Sequence, residues 1–278
     1  MTTDISSVQN PKVKRLLALQ QKSSERRQAR CFVVEGLREL RHCMSAGFQI
    51  ETLFVCPDFL SEEDLAPLLH ASSSAEKEPQ VFTVSGYVYE KIAYRGSTEG
   101  VVAIVRTRHL TLDDLHLSDH PLVVVLESVE KPGNLGAVLR SADAAAADAV
   151  VVCDPLTDLY NPNLIRSSIG AVFTVPCVAC DSASCIKFLQ SKGIAILTAQ
   201  LQDSLPYYHT DMRRPTAIVM GTESTGLTQQ WREAADAHIR IPMLGRLDSL
   251  NVSVSAAILM YEAVRQRNSK YQNYTFGM

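Results

Sequence analysis

IPMLGRLDSLNVSVSAAILMYEA, residues 241–263, decides how this chain is read. A Ser-Leu-Asn-Val-Ser loop runs straight into an apolar stretch with helical spacing. A helix N-terminus needs one side chain to accept from its first free amides, and Ser, Thr, Asn and Asp serve best. Here Ser249, Asn251, Ser253 and Ser255 crowd around the start, more polar groups than one cap uses. The plain alternative is that Asn251 or Ser253 caps the helix while Ile258, Leu259, Tyr261 and Val264 fill a core.

Two other segments tilt the reading toward a ligand site. They are EKPGNLGAVLRSAD, residues 130–143, and IVMGTESTGL, residues 218–227. The first follows LVVVL, residues 122–126, and the second begins inside the apolar run 216–220. Short, continuously apolar runs suit strands buried on both faces. Glycine at a strand end lets a ligand approach the backbone, and open α/β sheets bind ligands at the carboxyl ends of their parallel strands. Neither loop is a standard nucleotide motif. GNLGAVLR lacks the Gly-x-Gly-x-x-Gly spacing, and GTESTGLT carries no Lys-Ser/Thr after Gly226, which argues against hydride transfer and against a phosphate-loop NTPase.

Strands near 122–126, 149–153, 173–177, 194–199, 216–220 and 238–241, with helices between, predict an α/β domain whose parallel sheet is covered on both faces. Ahead of it, Asn10-Pro11 precedes a helix bearing Val13, Leu16, Leu17 and Leu19, and CFVVEG, ETLFVC, QVFTVS and GVVAIV read as strands of a smaller α/β unit. The Ser/Glu-rich residues 71–79 read as a surface loop. The expected division is a substrate-binding domain over 1–107, a linker over 108–120 and a catalytic domain over 121–278.

PGNLGAVLR, VMGTESTGL and IPMLGRLDSLNVSVSAA, in this order, resemble the three motifs of the SpoU (TrmH-like) RNA ribose methyltransferases of the SPOUT class, over about residues 122–267. The resemblance implies transfer of a methyl group from S-adenosylmethionine to a ribose 2′-hydroxyl. It also implies a C-terminal trefoil knot holding the cofactor, and a homodimer formed through the catalytic domains. Motif one places Asn134 and Arg140 on the RNA side of the site. Motif two supplies Gly221 and Glu223, and motif three supplies Ile241, Ser249, Leu250 and Asn251. In similar enzymes the backbone around the positions of Gly221, Ile241 and Leu250 holds the cofactor. Lys131 stands where Asp or Asn is frequent, and Ser255 replaces a common Ala. NPKVKRLLAL through FVVEGLREL is similar to an RNA-binding domain akin to small ribosomal proteins, with Lys12, Arg38, Arg41 and Arg95 as candidate phosphate contacts. Ribosomal RNA is the first-choice substrate and transfer RNA the second. A non-catalytic RNA-binding or assembly factor retaining the fold, and a base methyltransferase, are the alternatives.

The chemistry accounts for such residues. Methyl transfer from a sulfonium needs an in-line oxygen nucleophile and no metal, so positioning supplies most of the acceleration, up to about 7–11 kcal/mol. A ribose hydroxyl is a weak nucleophile, and something must accept its proton or stabilise the developing alkoxide. Arg140 suits the second task, because guanidinium stays protonated and is a poor base. On an exposed helix it has a plainer use, pairing with Asp143 at i+3. Glu223 is placed to orient Asn134, Ser249 or the cofactor's cationic end, or simply to sit at a helix N-terminus. Asn134, after Pro-Gly, shapes a turn or fixes the hydroxyl or Arg140.

Composition sets the outer limits. With 278 residues, 46% of them hydrophobic, the chain has enough for two cores. No apolar run reaches the ~18 residues of a membrane span, and MTTDISSVQN is not a signal peptide, so a cytoplasmic protein is expected. Seven scattered cysteines suit reduced thiols better than a disulfide framework. Cys177-Val-Ala-Cys180, with Cys185 nearby, lacks the second pair that metal sites show, so no metal is expected. The net charge of −3 conceals a basic start. Up to Arg41, nine Lys and Arg side chains stand against four acidic ones, which favours phosphate attraction although a solvated basic helix face has the same composition.

Overall fold

The computed structural model describes residues 3–73, 78–93, 99–222 and 225–268. In chain order the elements are β1 (Thr3–Ile5), α1 (Pro11–Gln21), α2 (Ser23–Ala29), β2 (Cys31–Glu35), α3 (Leu37–Ser45), β3 (Ile50–Val55), α4 (Glu62–Ser73), β4 (Gln80–Val84), α5 (Gly86–Ile92) and β5 (Val101–Arg106). There follow β6 (Leu122–Glu127), α6 (Pro132–Ala144), β7 (Ala149–Cys153), α7 (Pro162–Ser168), α8 (Ala171–Thr174), β8 (Cys177–Cys180), α9 (Ser182–Ser191) and β9 (Ala195–Ala199). The chain closes with β10 (Leu205–Pro206), β11 (Thr216–Met220), α10 (Gln229–Ala234), β12 (Ala237–Arg240) and α11 (Val252–Arg267). Packing gathers these into two units, Met1–Arg108 with Asp158–Thr174, and His109–Thr157 with Val175–Met278.

The first unit holds a five-stranded sheet in the order β1-β4-β3-β5-β2, with β5 antiparallel to both neighbours. Asn10 starts α1 by accepting from the Lys12 amide at 2.9 Å, and Pro11 fills the first helical position, where no N–H is missed. α1 then buries Val13, Leu16 and Leu19 with Cys31 and Val33 of β2. Because strand side chains alternate, Phe32 points to the opposite face, where it stacks on Tyr160 at 4.3 Å and Phe173 at 5.8 Å. Arg26 is buried, paired with Asp158 at 2.6 Å and donating to the Leu19 carbonyl. These contacts explain why residues 158–174 pack with the first unit.

Two local expectations change here. Residues 173–177 do not form a strand: Ala171–Thr174 is helical, and β8 begins only at Cys177, because Pro176 has no N–H to give to a ladder. Helix α4 runs on through Ser73, so the first part of the stretch expected as a loop is helical, and residues 74–77 lie outside the described residues.

The second unit is a seven-stranded, wholly parallel sheet in the order β10-β12-β9-β11-β6-β7-β8. Strands β6, β7 and β11 are buried at every position, as the apolar runs required. α11 packs against α6 and β11. Its buried stripe is Val252, Ala256, Leu259, Met260 and Ala263. Of the expected core residues only Leu259 is fully buried, while Tyr261 is 50% exposed, since it lies on the other side of the 3.6-residue period. At its far end the Arg267 guanidinium donates to four backbone carbonyls, those of Met212, His120, Pro121 and Arg214, fixing the helix to the loops that precede β6 and β11. No helix among the described residues is long and apolar enough to cross a membrane.

Candidate functional site

A parallel sheet puts all its carboxyl ends along one edge. In the second unit β6, β9, β11 and β12 are neighbours there, and the segments that leave them carry Asn134, in the first turn of α6, and Gln200, Gly221 and Ile241 in loops. A cleft of about 400 Å3 opens among the last three, bordered also by Ser249, Leu250, Val252 and Ser255. That volume falls within the roughly 300–1,000 Å3 of ligand clefts.

Asn251 joins two of the sequence motifs. Its Oδ1 accepts from the Ser253 amide at 2.9 Å, which makes it the cap of α11, and from the Ser253 hydroxyl at 2.6 Å. Its Nδ2 donates to Asn134 Oδ1 at 3.1 Å, reaching across to the third residue of α6. One amide therefore serves as helix cap and as the tie between motif one and motif three. Its chain neighbours Leu250 and Val252 both line the cleft.

The motif-two loop closes on itself. Thr222 pairs with Gly226, the Thr225 amide donates to Thr222 Oγ1 at 3.0 Å, and Gly226 has a φ of +68°, open to glycine at little cost. A Cβ on Gly221 would lie 2.3 Å from the Gly226 backbone and 2.6 Å from the Leu227 nitrogen. Gly221 is thus required by the fold of its own loop, whatever ligand approaches it.

Behind the loops sits a buried carboxylate. Glu127, at the end of β6, accepts from the Thr228 amide at 2.8 Å and the Thr228 hydroxyl at 2.6 Å. Ser182 Oγ stands 3.3 Å from the same carboxylate and 2.6 Å from Asp154, and it accepts from the Trp231 indole at 3.0 Å. A buried charge is tolerated when it is hydrogen-bonded this fully. The network pins the end of the motif-two loop to the strand that launches motif one.

The remaining candidates fall as follows. Arg140 is exposed on α6 and pairs with no described residue; the alternative ion pair with Asp143 is not formed. Ser249 is exposed, 3.4 Å from the Asp248 carboxylate, and Ile241 is half-buried. Glu223 and Arg95 lie outside the described residues. In the first unit Lys12 donates to Gln80 at 3.2 Å, Arg38 pairs with Glu39 at 2.7 Å, and Arg41 stands 3.6 Å from Asp64. Helix α1 covers the Val33 face of the sheet, whereas α3 packs with α8 on the Phe32 face. Lys12 is therefore not brought beside Arg38 and Arg41.

Two cleft residues were missed by the sequence reading. Gln200 Oε1 and Arg232 Nε are buried, and neither has a hydrogen-bond partner among the described residues; both side chains line the cleft. Buried polar atoms without partners are uncommon, so these two call for a partner that the described residues do not supply. Arg232 lies in α10, beyond the motif-two loop, and Gln200 lies in no motif.

The family model described as SpoU rRNA methylase matches residues 121–261, and one described as MRM3-like substrate binding domain matches residues 10–103. The chain is similar to the 23S rRNA (guanosine(2553)-2′-O)-methyltransferase RlmP of Bacillus subtilis, 28% identical over 92% of this chain and 97% of that one. It is also similar to the 23S rRNA (guanosine-2′-O-)-methyltransferase RlmB of Pseudomonas putida, 33% identical over 82% of this chain and 96% of that one. The solved structure of an AdoMet-bound rRNA methyltransferase from Sinorhizobium meliloti superposes with a TM-score of 0.87 at 29% identity, covering 95% of this chain and 98% of that one.

Proposed function

The chain belongs to the SpoU rRNA methylase family, and from that premise we propose that it transfers a methyl group from S-adenosylmethionine to a ribose 2′-hydroxyl of ribosomal RNA. The observation that carries this reading is the Asn251–Asn134 hydrogen bond, which joins motif one to motif three beside the cleft. Relatives that span this chain's length and are named as acting on 23S rRNA support ribosomal over transfer RNA.

The cleft residues fit the cofactor. Gly221, Ile241 and Leu250 present backbone and apolar surface along it, and the unpartnered Arg232 and Gln200 atoms offer a cation for a carboxylate and an acceptor for a hydroxyl or amine. When bound, the cofactor supplies an electrophilic methyl on a sulfonium. Asn134 and Asn251, held by each other, orient the ribose, with Ser249 at the cleft border. Arg140 holds the adjoining phosphate and steadies negative charge on the attacking oxygen. Glu223 is assigned to orienting that group of side chains. Lys12, Arg38, Arg41 and Arg95 are assigned to RNA, in two sets because α1 and α3 cover opposite faces of the sheet. The substrate-binding assignment of residues 1–107, the linker over 108–120, the knot within 121–278, a cytoplasmic location and a homodimer complete the proposal. Val254 and Tyr261, 46% and 50% exposed on α11, support the dimer, which light scattering tests.

The deciding experiment is tritiated-methyl transfer to ribosomal RNA, followed by mapping of the modified nucleotide and a repeat with a 2′-deoxy residue at that position. Loss of transfer on the deoxy substrate is expected. Continued transfer would assign the methyl group to a base, and no transfer to any ribosomal RNA would favour an assembly role.

A further inference from the structure

Three thiols converge at the carboxyl ends of β7 and β8, beside β6 but outside the lining of the cleft. Cys153 ends β7, Cys180 ends the neighbouring β8 in direct register with it, and Cys185 stands in the first turn of α9. Their sulfurs all lie within 4.8 Å of one another. Cys153 and Cys185 are buried and Cys180 is half-buried, so the cluster reaches solvent through one member. The sequence spacing joins Cys177 to Cys180, with Cys185 nearby, and on its own gives no expectation of a metal. Cys177 begins β8, at the opposite end of the strand, and is not one of the three.

We propose that Cys153, Cys180 and Cys185 form a three-thiolate site for a thiophilic divalent cation of the zinc class, distinct from the methyl-transfer cleft. Each ligand comes from a different element of a rigid parallel sheet and its covering helix, which holds the three together before any ion arrives. Tetrahedral zinc–thiolate bonds of about 2.3 Å place sulfurs about 3.8 Å apart. From separations within 4.8 Å, closure needs movements of about 1 Å or less, within the reach of χ1 rotation without backbone change.

Charge decides between soft ions. Binding releases three protons, one from each thiol, so a divalent ion leaves the site with one net negative charge and a monovalent ion leaves it with two. Asp154 and Asp181 adjoin Cys153 and Cys180 in the chain, and more negative charge beside them is disfavoured. Neither carboxylate joins the three sulfurs as a neighbouring ligand atom, and both are engaged elsewhere. Asp154 holds Ser182 at 2.6 Å, and Asp181 caps α9 through the Ser184 amide at 2.7 Å. The fourth position falls to water or an added anion, as in zinc sites with three protein ligands.

The test uses the full-length, reduced protein, stripped of metal and titrated anaerobically with Co2+. The expected result is a thiolate-to-cobalt charge-transfer band saturating at one equivalent and bleached by Zn2+. Cys177→Ser should leave the band unchanged. Cys180→Ser, which alters the half-buried ligand, should weaken binding by at least about 100-fold, since even loss of an outer-shell partner costs 10- to 100-fold. Cys153→Ala and Cys185→Ala should do the same, with circular dichroism establishing that each remains folded. In parallel, Zn2+ should raise the Tm of the parent and of Cys177→Ser but not of Cys180→Ser. Absence of the band in the parent, its persistence in Cys180→Ser, or its loss in Cys177→Ser would each overturn the proposal.

Discussion

Replacing Asn251 by serine separates the two roles of one side chain. Serine caps a helix about as well as asparagine, whereas alanine at a cap costs about 0.5–2 kcal/mol. Serine is too short to reach Asn134, so both variants lose the 3.1 Å bond between the two amides. An exposed, neutral hydrogen bond contributes about 0.5–1 kcal/mol, the lower part of the usual range. Asn251→Ser should therefore destabilise by about 0.5–1 kcal/mol and Asn251→Ala by about 1–3 kcal/mol. At about 2–4 °C per kcal/mol for a domain of this size, the Tm falls by about 1–4 °C and about 2–12 °C respectively. Activity should behave differently. If the amide pair positions the ribose, a displacement near 1 Å costs up to about 100-fold, and both variants should transfer methyl groups about 10- to 100-fold more slowly. Single-turnover transfer of tritiated methyl, beside thermal melts followed by circular dichroism, reads both quantities. Parental activity in Asn251→Ser would reduce Asn251 to a helix cap, and equal instability of the two variants would refute the cap.

Three other outcomes follow from the same geometry. Arg140→Ala should nearly abolish methyl transfer while leaving calorimetric cofactor affinity close to that of the parent, and a variant that methylates RNA normally would remove Arg140 from the site. Arg232→Gln should weaken cofactor binding by about 10- to 100-fold, the effect of losing one charge-assisted bond of about 1.5–3 kcal/mol; unchanged calorimetry would mean that its unpartnered Nε faces no ligand. The bidentate Arg265 guanidinium holds the Glu262 carboxyl below its ordinary value, with Gln266 assisting against the opposing effect of burial. A folded-state value below the unfolded one stabilises at pH above about 4.3 and is lost as pH falls through the folded value, so Glu262→Gln should flatten the acid limb of a stability–pH curve. Parallel curves for parent and variant would contradict it.

The order of apolar runs and glycine loops made the parallel sheet legible, because strands buried on both faces leave a continuous hydrophobic record. Short-range pattern failed where a long-range partner decides. The run at 171–175 is as apolar as its strand neighbours, but Phe173 packs against Phe32, a residue 141 positions earlier in the chain, and Pro176 delays the strand. Tyr261 looked like core because it is aromatic on a helix, yet the helix turns it outward. The three motifs were legible as sequence, and the structure brings Asn134 of the first into contact with Asn251 of the third. Arg232 and Gln200 were not legible, since nothing in their spacing distinguishes a cleft-lining side chain from an ordinary surface one. The cysteine cluster was hidden for the same reason: Cys177 lies at the opposite end of β8 from Cys180, and Cys153, which completes the set with Cys180 and Cys185, arrives from the neighbouring strand.

Gly221 shows how one glycine can have two separate reasons to be glycine. Glycine at a strand end in a ligand loop suggests that a bound molecule excludes the side chain. The molecule's own backbone excludes it first, since Gly226 would stand 2.3 Å from the added Cβ and cannot yield as a flexible side chain would. Any substitution at Gly221 must open the Thr222–Gly226 closure and disturb Leu227 and Thr228, which Glu127 anchors. Weak cofactor binding by a Gly221 variant would then follow whether or not the cofactor ever touches that residue. Arg232 and Asn251 are the informative positions, because one can lose its charge and the other its reach while the loops keep their shape.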